Sequence, residues 1–254
     1  MQQLSRNGSR SQRRSERPVL QPELGSERPV LHRELVRREA LLDWFSVHRA
    51  EAVVAIFAPA GYGKTTLLGQ AAEADERPVG WVSLHDRDND PLELMSHLAS
   101  ALDQLAGAGP AILDRPQGWP SESWSSAIPR LAAAFASRER SAVLVLDDVH
   151  VLENRHCLEI VGALGAAVPH GSQLVVAGRA EPQLGLPRLR AERRVAELGR
   201  HDLAFDPIEA GALLSAAGLD LAGGDVAELT RRTEGWATGL YLTALSLRET
   251  HRAA

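Results

Sequence analysis

Lysine occurs once in these 254 residues, at position 64, although Lys and Arg together number 28. Cysteine also occurs once, as Cys157, which excludes a disulfide framework or a cysteine metal site and leaves an inert buried thiol as the expectation. Aromatic residues make up only 4% of the chain. The aliphatics are mostly Ala, Leu and Val, which suits helices packed on a parallel sheet. No apolar run approaches the roughly 20 residues that span a bilayer, and the Arg-rich N-terminus is not followed by the apolar segment of a secretory signal. These absences predict a soluble, cytoplasmic protein without a membrane partner.

Charge narrows the partners further. Residues 1–17 hold Arg6, Arg10, Arg13, Arg14 and Arg17 against Glu16, so a formal net charge of −5 leaves −9 on the remainder. A folded part this acidic is a poor match for nucleic acid, and specific DNA binding is not expected. Residues 1–30 show no apolar periodicity and read as a disordered, Arg-rich leader, with a short echo of Ser-Glu-Arg-Pro-Val-Leu at 15–20 and 26–31.

The single lysine lies in the most informative stretch of the chain. A β-branched run, Val53-Val-Ala-Ile-Phe57, ends in Ala58-Pro-Ala-Gly-Tyr-Gly-Lys-Thr-Thr66 and passes into a helix-compatible segment. A small residue, four of any kind, then Gly-Lys-Ser/Thr is the pattern of a phosphate-cradling loop. Successive backbone N–H groups of Ala60, Gly61, Tyr62, Gly63, Lys64, Thr65 and Thr66 would bind the phosphates, with Gly61 and Gly63 allowing the dihedrals. Lys64 would reach the terminal phosphates and the Thr65 hydroxyl would ligate Mg²⁺. A compact ammonium among phosphates is a place that a planar guanidinium does not take over.

Around that loop, strands and helices alternate. An amphipathic helix is predicted from Glu34, with Leu35, Ala40, Leu41, Trp44 and Phe45 on one face. A strand at 79–84 leads to His85-Asp-Arg-Asp-Asn-Asp-Pro91, read as a solvated acidic turn that caps a helix over 91–105. Its Asp spacing is that of a calcium loop, but Pro91 and His97 stand where that loop needs Gly and Glu. Residues 107–122 read as a loop and 123–136 as a helix. A third strand, 142–146, delivers Asp147 and Asp148 to the carboxyl edge of the sheet, where Asp147 would hold Mg²⁺ and Asp148 would orient or deprotonate a water. A helix over 152–167, a strand at 173–177 ending in Gly178-Arg179, and a strand at 194–198 follow, with Arg179 placed to read a γ-phosphate. Helices are then predicted over 207–217, 223–232 and 236–249, the first capped by Asp206, Pro207 and Glu209. On the last of them Trp236, Leu240, Ala244 and Leu247 share a face expected to leave an apolar patch in water. The fold class is therefore α/β: a P-loop NTPase with a parallel five-stranded sheet and helices on both faces over 31–200, followed by a small all-helical subdomain over 201–254.

These motifs together resemble the large ATP-binding LuxR-type regulators typified by the bacterial maltose-regulon activator, a branch of the signal-transduction ATPases. The match is carried by Pro59-Ala-Gly-Tyr-Gly-Lys-Thr-Thr-Leu-Leu68, Trp81-Val-Ser-Leu84 with Asp88-Asn-Asp-Pro91, and Leu144-Val-Leu-Asp-Asp148. Val176-Ala-Gly-Arg179, Asp202-Leu-Ala-Phe-Asp-Pro207 and Arg232-Thr-Glu-Gly-Trp-Ala-Thr-Gly-Leu240 complete it. The resemblance implies an ATP/ADP-binding signalling switch with slow Mg²⁺-dependent hydrolysis, in which Lys64, Asp148 and Arg179 are catalytic. It puts Val36 and Arg38 beside the adenine and the Gly235–Leu240 turn against the base. Other domains or proteins are the implied partners, with self-association on ATP binding. Such regulators also carry a winged helix, a sensor and a DNA-reading helix-turn-helix, which the residues after Leu247 are too few to hold, so the nucleotide-binding module alone is expected. The alternative is a stand-alone ring-type ATPase that remodels a protein partner, for which no motif identifies the arginine needed in trans.

Overall fold

The computed structural model describes residues 36–106, 124–136 and 140–253. The expected leader, the loop at 107–122 and Leu35 lie outside them. Five strands run parallel: β1 (Val53–Phe57), β2 (Val79–Ser83), β3 (Val143–Asp147), β4 (Gln173–Gly178) and β5 (Val195–Gly199), in the order β2-β3-β4-β1-β5. Because β1 is followed by the far edge strand and β4 by the strand beyond β1, the carboxyl ends of β3, β4 and β1 are neighbours, which is where open parallel sheets bind ligands.

The near-continuous apolar strands bury both faces, and alternation sorts the side chains. Val53, Ala55, Leu144, Leu146, Leu174 and Val176 face one core with α3 (Pro91–Ala106), α4 (Trp124–Ala136) and α5 (Arg155–Ala167). Val54, Ile56, Val143, Val145, Val175 and Ala177 face the other with α1 (Glu39–Val47) and α2 (Lys64–Ala74). α1 starts later than its sequence suggests: Leu42 is its buried residue, Leu41, Trp44 and Phe45 pack beside it, and Ala40 is exposed. A short helix α6 (Leu186–Ala191), not foreseen, adds Leu186 and Leu189 to the first core. α5 begins at Arg155 rather than 152 because the Asn154 side chain accepts the His156 N–H as its cap.

The acidic turn is solvated at Asp86 and Asp90, which are exposed, but not at Asp88. Asp88 is fully buried; its carboxylate lies 2.5 Å from His97 Nδ1 and accepts the His85 N–H, while Asn89 Oδ1 accepts the N–H groups of Glu153 and Asn154. His97 lies within α3, so this partner became visible only once the helix folded back over the turn. Asp90 caps the helix as expected, accepting the Leu92 and Glu93 N–H groups at the start of α3.

After β5 come α7 (Arg200–Leu203), α8 (Pro207–Ala216), α9 (Gly223–Thr233) and α10 (Ala237–Ala253). Asp206 caps α8 as its sequence announces, accepting the Ile208 and Glu209 N–H groups. Phe205, Ala210, Leu214, Val226, Leu240 and Ala244 form a third core. The apolar patch expected on α10 is therefore absent at Leu240 and Ala244, which the neighbouring helices cover completely, and Leu247 packs beside them. Trp236, just before the helix, is exposed as expected, and Tyr241 and Leu242 are the exposed large side chains of the helix itself. Among the described residues no helix is long and apolar enough to cross a membrane.

Candidate functional site

β1 ends at Phe57 and the chain turns through Ala58–Gly63 before α2 opens at Lys64. Gly61 and Gly63 hold φ of 82° and 79°, a backbone region that glycine enters without steric penalty. A Cβ at Gly63 would meet nothing within 4 Å, so the loop leaves open space on that side. Lys64 Nζ donates to Ala58 O at 2.7 Å and Pro59 O at 3.0 Å. Burial pushes its ammonium below its ordinary value, against the pull of Asp148 and Asp147.

β3 carries Asp147 to the same edge. Its Oδ2 accepts the Thr65 hydroxyl at 2.6 Å and its Oδ1 the Asp148 N–H at 2.9 Å. Burial raises the Asp147 carboxyl above its ordinary value despite the bond from Thr65. Asp148 is half exposed and adopts φ 61°, a left-handed conformation that is uncommon for a residue with a side chain and clusters at functional sites. His150 Nδ1 lies 3.5 Å from its carboxylate.

Ala60, Gly61, Gly63, Lys64, Thr65, Thr66, Asp148 and Arg179 line one cleft of about 670 Å³. Its other wall comes from the helices after β5, through Thr238, which lies in the turn that the resemblance puts against the base, and through Leu213, Tyr241 and Arg248, which sequence reasoning missed. Nothing local marks these last three, since they belong to the wall only because α8 and α10 fold back on the loop. An ammonium, a hydroxyl, a carboxylate and a glycine-opened loop form a hard-oxygen and anion-binding set that fits Mg²⁺ with a polyphosphate.

Two expected nucleotide contacts, Val36 and Arg38, fall outside this cleft. Val36 packs on the third core, and Gln70 clamps the segment, accepting the Arg38 N–H at 3.1 Å and donating to Val36 O at 2.9 Å. Arg38 is buried, with its guanidinium 2.7 Å from Glu209, donating to Leu203 O and stacked over Phe205. Its side chain thus ties the N-terminal segment to the helices and does not line the cleft. The Tyr62 ring is buried in the second core, leaving only its backbone to the loop. Cys157 is buried, and burial with Asp90 and Asp88 nearby pushes its thiol up to about 11, which leaves it inert.

A phosphate-type loop after β1, paired carboxylates at the end of β3 and an arginine just after β4 define a P-loop NTPase of the α/β class. Residues 47–183 match the AAA domain family, and the chain belongs to it. The HTH-type transcriptional regulator MalT of Klebsiella pneumoniae is 34% identical over 224 residues, covering 86% of this chain and 24% of the relative. MalT of Yersinia enterocolitica is 35% identical over 202 residues, covering 77% and 22%. The chain thus spans no more than 24% of the length of these relatives. A signal transduction ATPase with a tetratricopeptide repeat sensor from Pyrococcus horikoshii superposes with a TM-score of 0.53 at 20% identity, covering 85% of this chain and 30% of that one. The Aeropyrum pernix ORC1 protein, solved in complex with DNA, gives 0.52 at 16% identity, covering 87% and 62%. These two likenesses show the shared fold. The chain is an AAA-type P-loop NTPase module related to the MalT-like regulators.

Proposed function

We propose that this module is an ATP/ADP-binding signalling switch of a LuxR-type transcriptional regulator or a relative, with slow Mg²⁺-dependent hydrolysis. The observation that carries this reading is the convergence of Lys64, Thr65, Asp148 and Arg179 on one cleft, with Asp147 hydrogen-bonded to Thr65 at its floor. In this reading the backbone N–H groups from Ala60 to Thr66 hold the phosphates, and Lys64 exchanges its two loop carbonyls for phosphate oxygens. Thr65 and Asp147 would hold Mg²⁺, which would neutralise phosphate charge when bound. Asp148, at the carboxyl end of the sheet, orients the attacking water and takes its proton, and Arg179 steadies the terminal phosphate.

The domain division follows the same logic: residues 31–200 carry the phosphate chemistry and 201–254 form a helical cover. Other domains or protein partners would read the state of that cover, with self-association on ATP binding, in the cytoplasm and without sequence-specific DNA contact by this module. Asp148→Asn tests the hydrolytic part. It is expected to leave Mg²⁺-ATP affinity within about threefold while single-turnover hydrolysis falls by roughly 100-fold, because an amide does not accept the proton. Hydrolysis undiminished by this change removes Asp148 from the chemistry.

A further inference from the structure

The start of α10 is bonded to the phosphate loop itself, from 176 residues away in sequence. Trp236 Nε1 donates to Ala60 O at 2.9 Å. Gly61 O accepts two bonds from Thr238, one from its backbone N–H at 3.1 Å and one from its hydroxyl at 3.2 Å. The approach is close enough that a Cβ on Gly61 would lie 2.5 Å from Thr238 Oγ1 and 2.6 Å from Trp236 Nε1. Glycine is therefore required here for the helix as well as for the loop.

Peptide planarity gives these bonds a consequence. In a trans peptide the C=O and the following N–H point in opposite directions. Drawing Ala60 O and Gly61 O toward α10 turns the N–H groups of Gly61 and Tyr62 away from it, and leaves them to an acceptor on the other side of the loop. We propose that Trp236 and Thr238 are positioning residues for nucleotide binding: a latch that pre-orients two phosphate-binding N–H groups and couples loop occupancy to the seating of α10. The coupling is reciprocal, since a phosphate that accepts from those N–H groups polarises the same peptides and makes their carbonyls better acceptors for Trp236 and Thr238. This inference rests on the reading of the loop as a phosphate site.

The test uses the full chain and ATP with Mg²⁺. A Trp236→Phe, Thr238→Val double variant removes the indole and hydroxyl donors while keeping the Thr238 N–H. It is expected to bind ATP roughly tenfold more weakly, the summed effect of two neutral hydrogen bonds. Thr238→Ser, which keeps the hydroxyl, is expected to bind within twofold of wild type. Addition of ATP is expected to change tryptophan emission in the wild type, and that change is expected to disappear in Trp236→Phe. A double variant that keeps its circular dichroism and binds ATP within twofold of wild type overturns the latch alone. A Thr238→Ser variant as weak as Thr238→Val overturns the hydroxyl's part in it. A wild-type chain that binds no ATP removes the reading of the site, and the latch with it.

Discussion

At the scale of single residues, the two loop glycines separate two demands that one motif conflates. Gly61 and Gly63 both hold left-handed backbone, but a side chain at Gly63 meets open space whereas one at Gly61 meets Thr238 and Trp236. Without nucleotide, Gly63→Ala is expected to cost about 1–2 kcal/mol, the penalty of alanine in that region. Gly61→Ala carries the same penalty plus about 1–3 kcal/mol of overpacking. Urea unfolding of the two variants side by side decides this, and equal losses contradict the close approach of α10. The position of Gly61 in the loop pattern was legible, but its contact with α10 was not. Asp147 and Asp148 were readable because an aliphatic strand announces its own carboxyl end. Arg38 was misplaced because its partner Glu209 lies 171 residues away, and a resemblance in the sequence carries no record of a pairing at that range.

At the scale of elements, the end of α2 is fastened to β4 by charge. Asp75 receives Arg77 through its N–H, Nε and Nη2, while Arg77 also donates to Gly171 O and to the side chain of Gln173. Burial works to raise the Asp75 carboxyl, but the bonds and charge of Arg77, with Arg49 adding its own, hold it below its ordinary value of 3.8. The folded state thus binds fewer protons than the unfolded one in that window. The stabilisation is complete above pH 3.8 and is lost as the pH falls through the lower folded value. Asp75→Asn is expected to lower stability at pH 7 by about 2 kcal/mol, the value of a charge-assisted bond to a buried partner. Urea midpoints of wild type and variant are expected to converge as the pH is lowered below 3.8. A gap that stays constant with pH assigns the loss to packing and removes the ion pair from the explanation. The strands themselves were read from local pattern to within a residue or two, since each is a short aliphatic run bounded by turn residues. The middle of the acidic turn was misread for the opposite reason: Asp88 is held by His97, and Asn89 by the backbone of Glu153 and Asn154, partners that lie outside the turn.

At the scale of the whole molecule, the sheet presents charge at one edge and the helices after β5 close over it. That closure rests on three ties of different chemistry: the third apolar core, the Arg38–Glu209 pair, and the bonds from α10 to the loop. The sheet half of the cleft was foreseen, because phosphate chemistry needs residue types that stand out in a sequence. Of the helical half only the Gly235–Leu240 turn was foreseen, through the resemblance, because Leu213, Tyr241 and Arg248 are ordinary residues whose role comes from where α8 and α10 lie. Everything proposed for the cleft depends on Lys64 serving phosphate rather than only bridging two carbonyls of its own loop. Calorimetric titration of Mg²⁺-ATP into the wild-type chain and into Lys64→Ala, with circular dichroism of both, tests that dependence directly. Binding at a single site is expected in the wild type, with a loss of roughly 100-fold in the variant at unchanged helicity, the worth of charge-assisted bonds to phosphate. Equal affinity in the two proteins, or no binding in the wild type, contradicts the assignment of this cleft to a nucleotide.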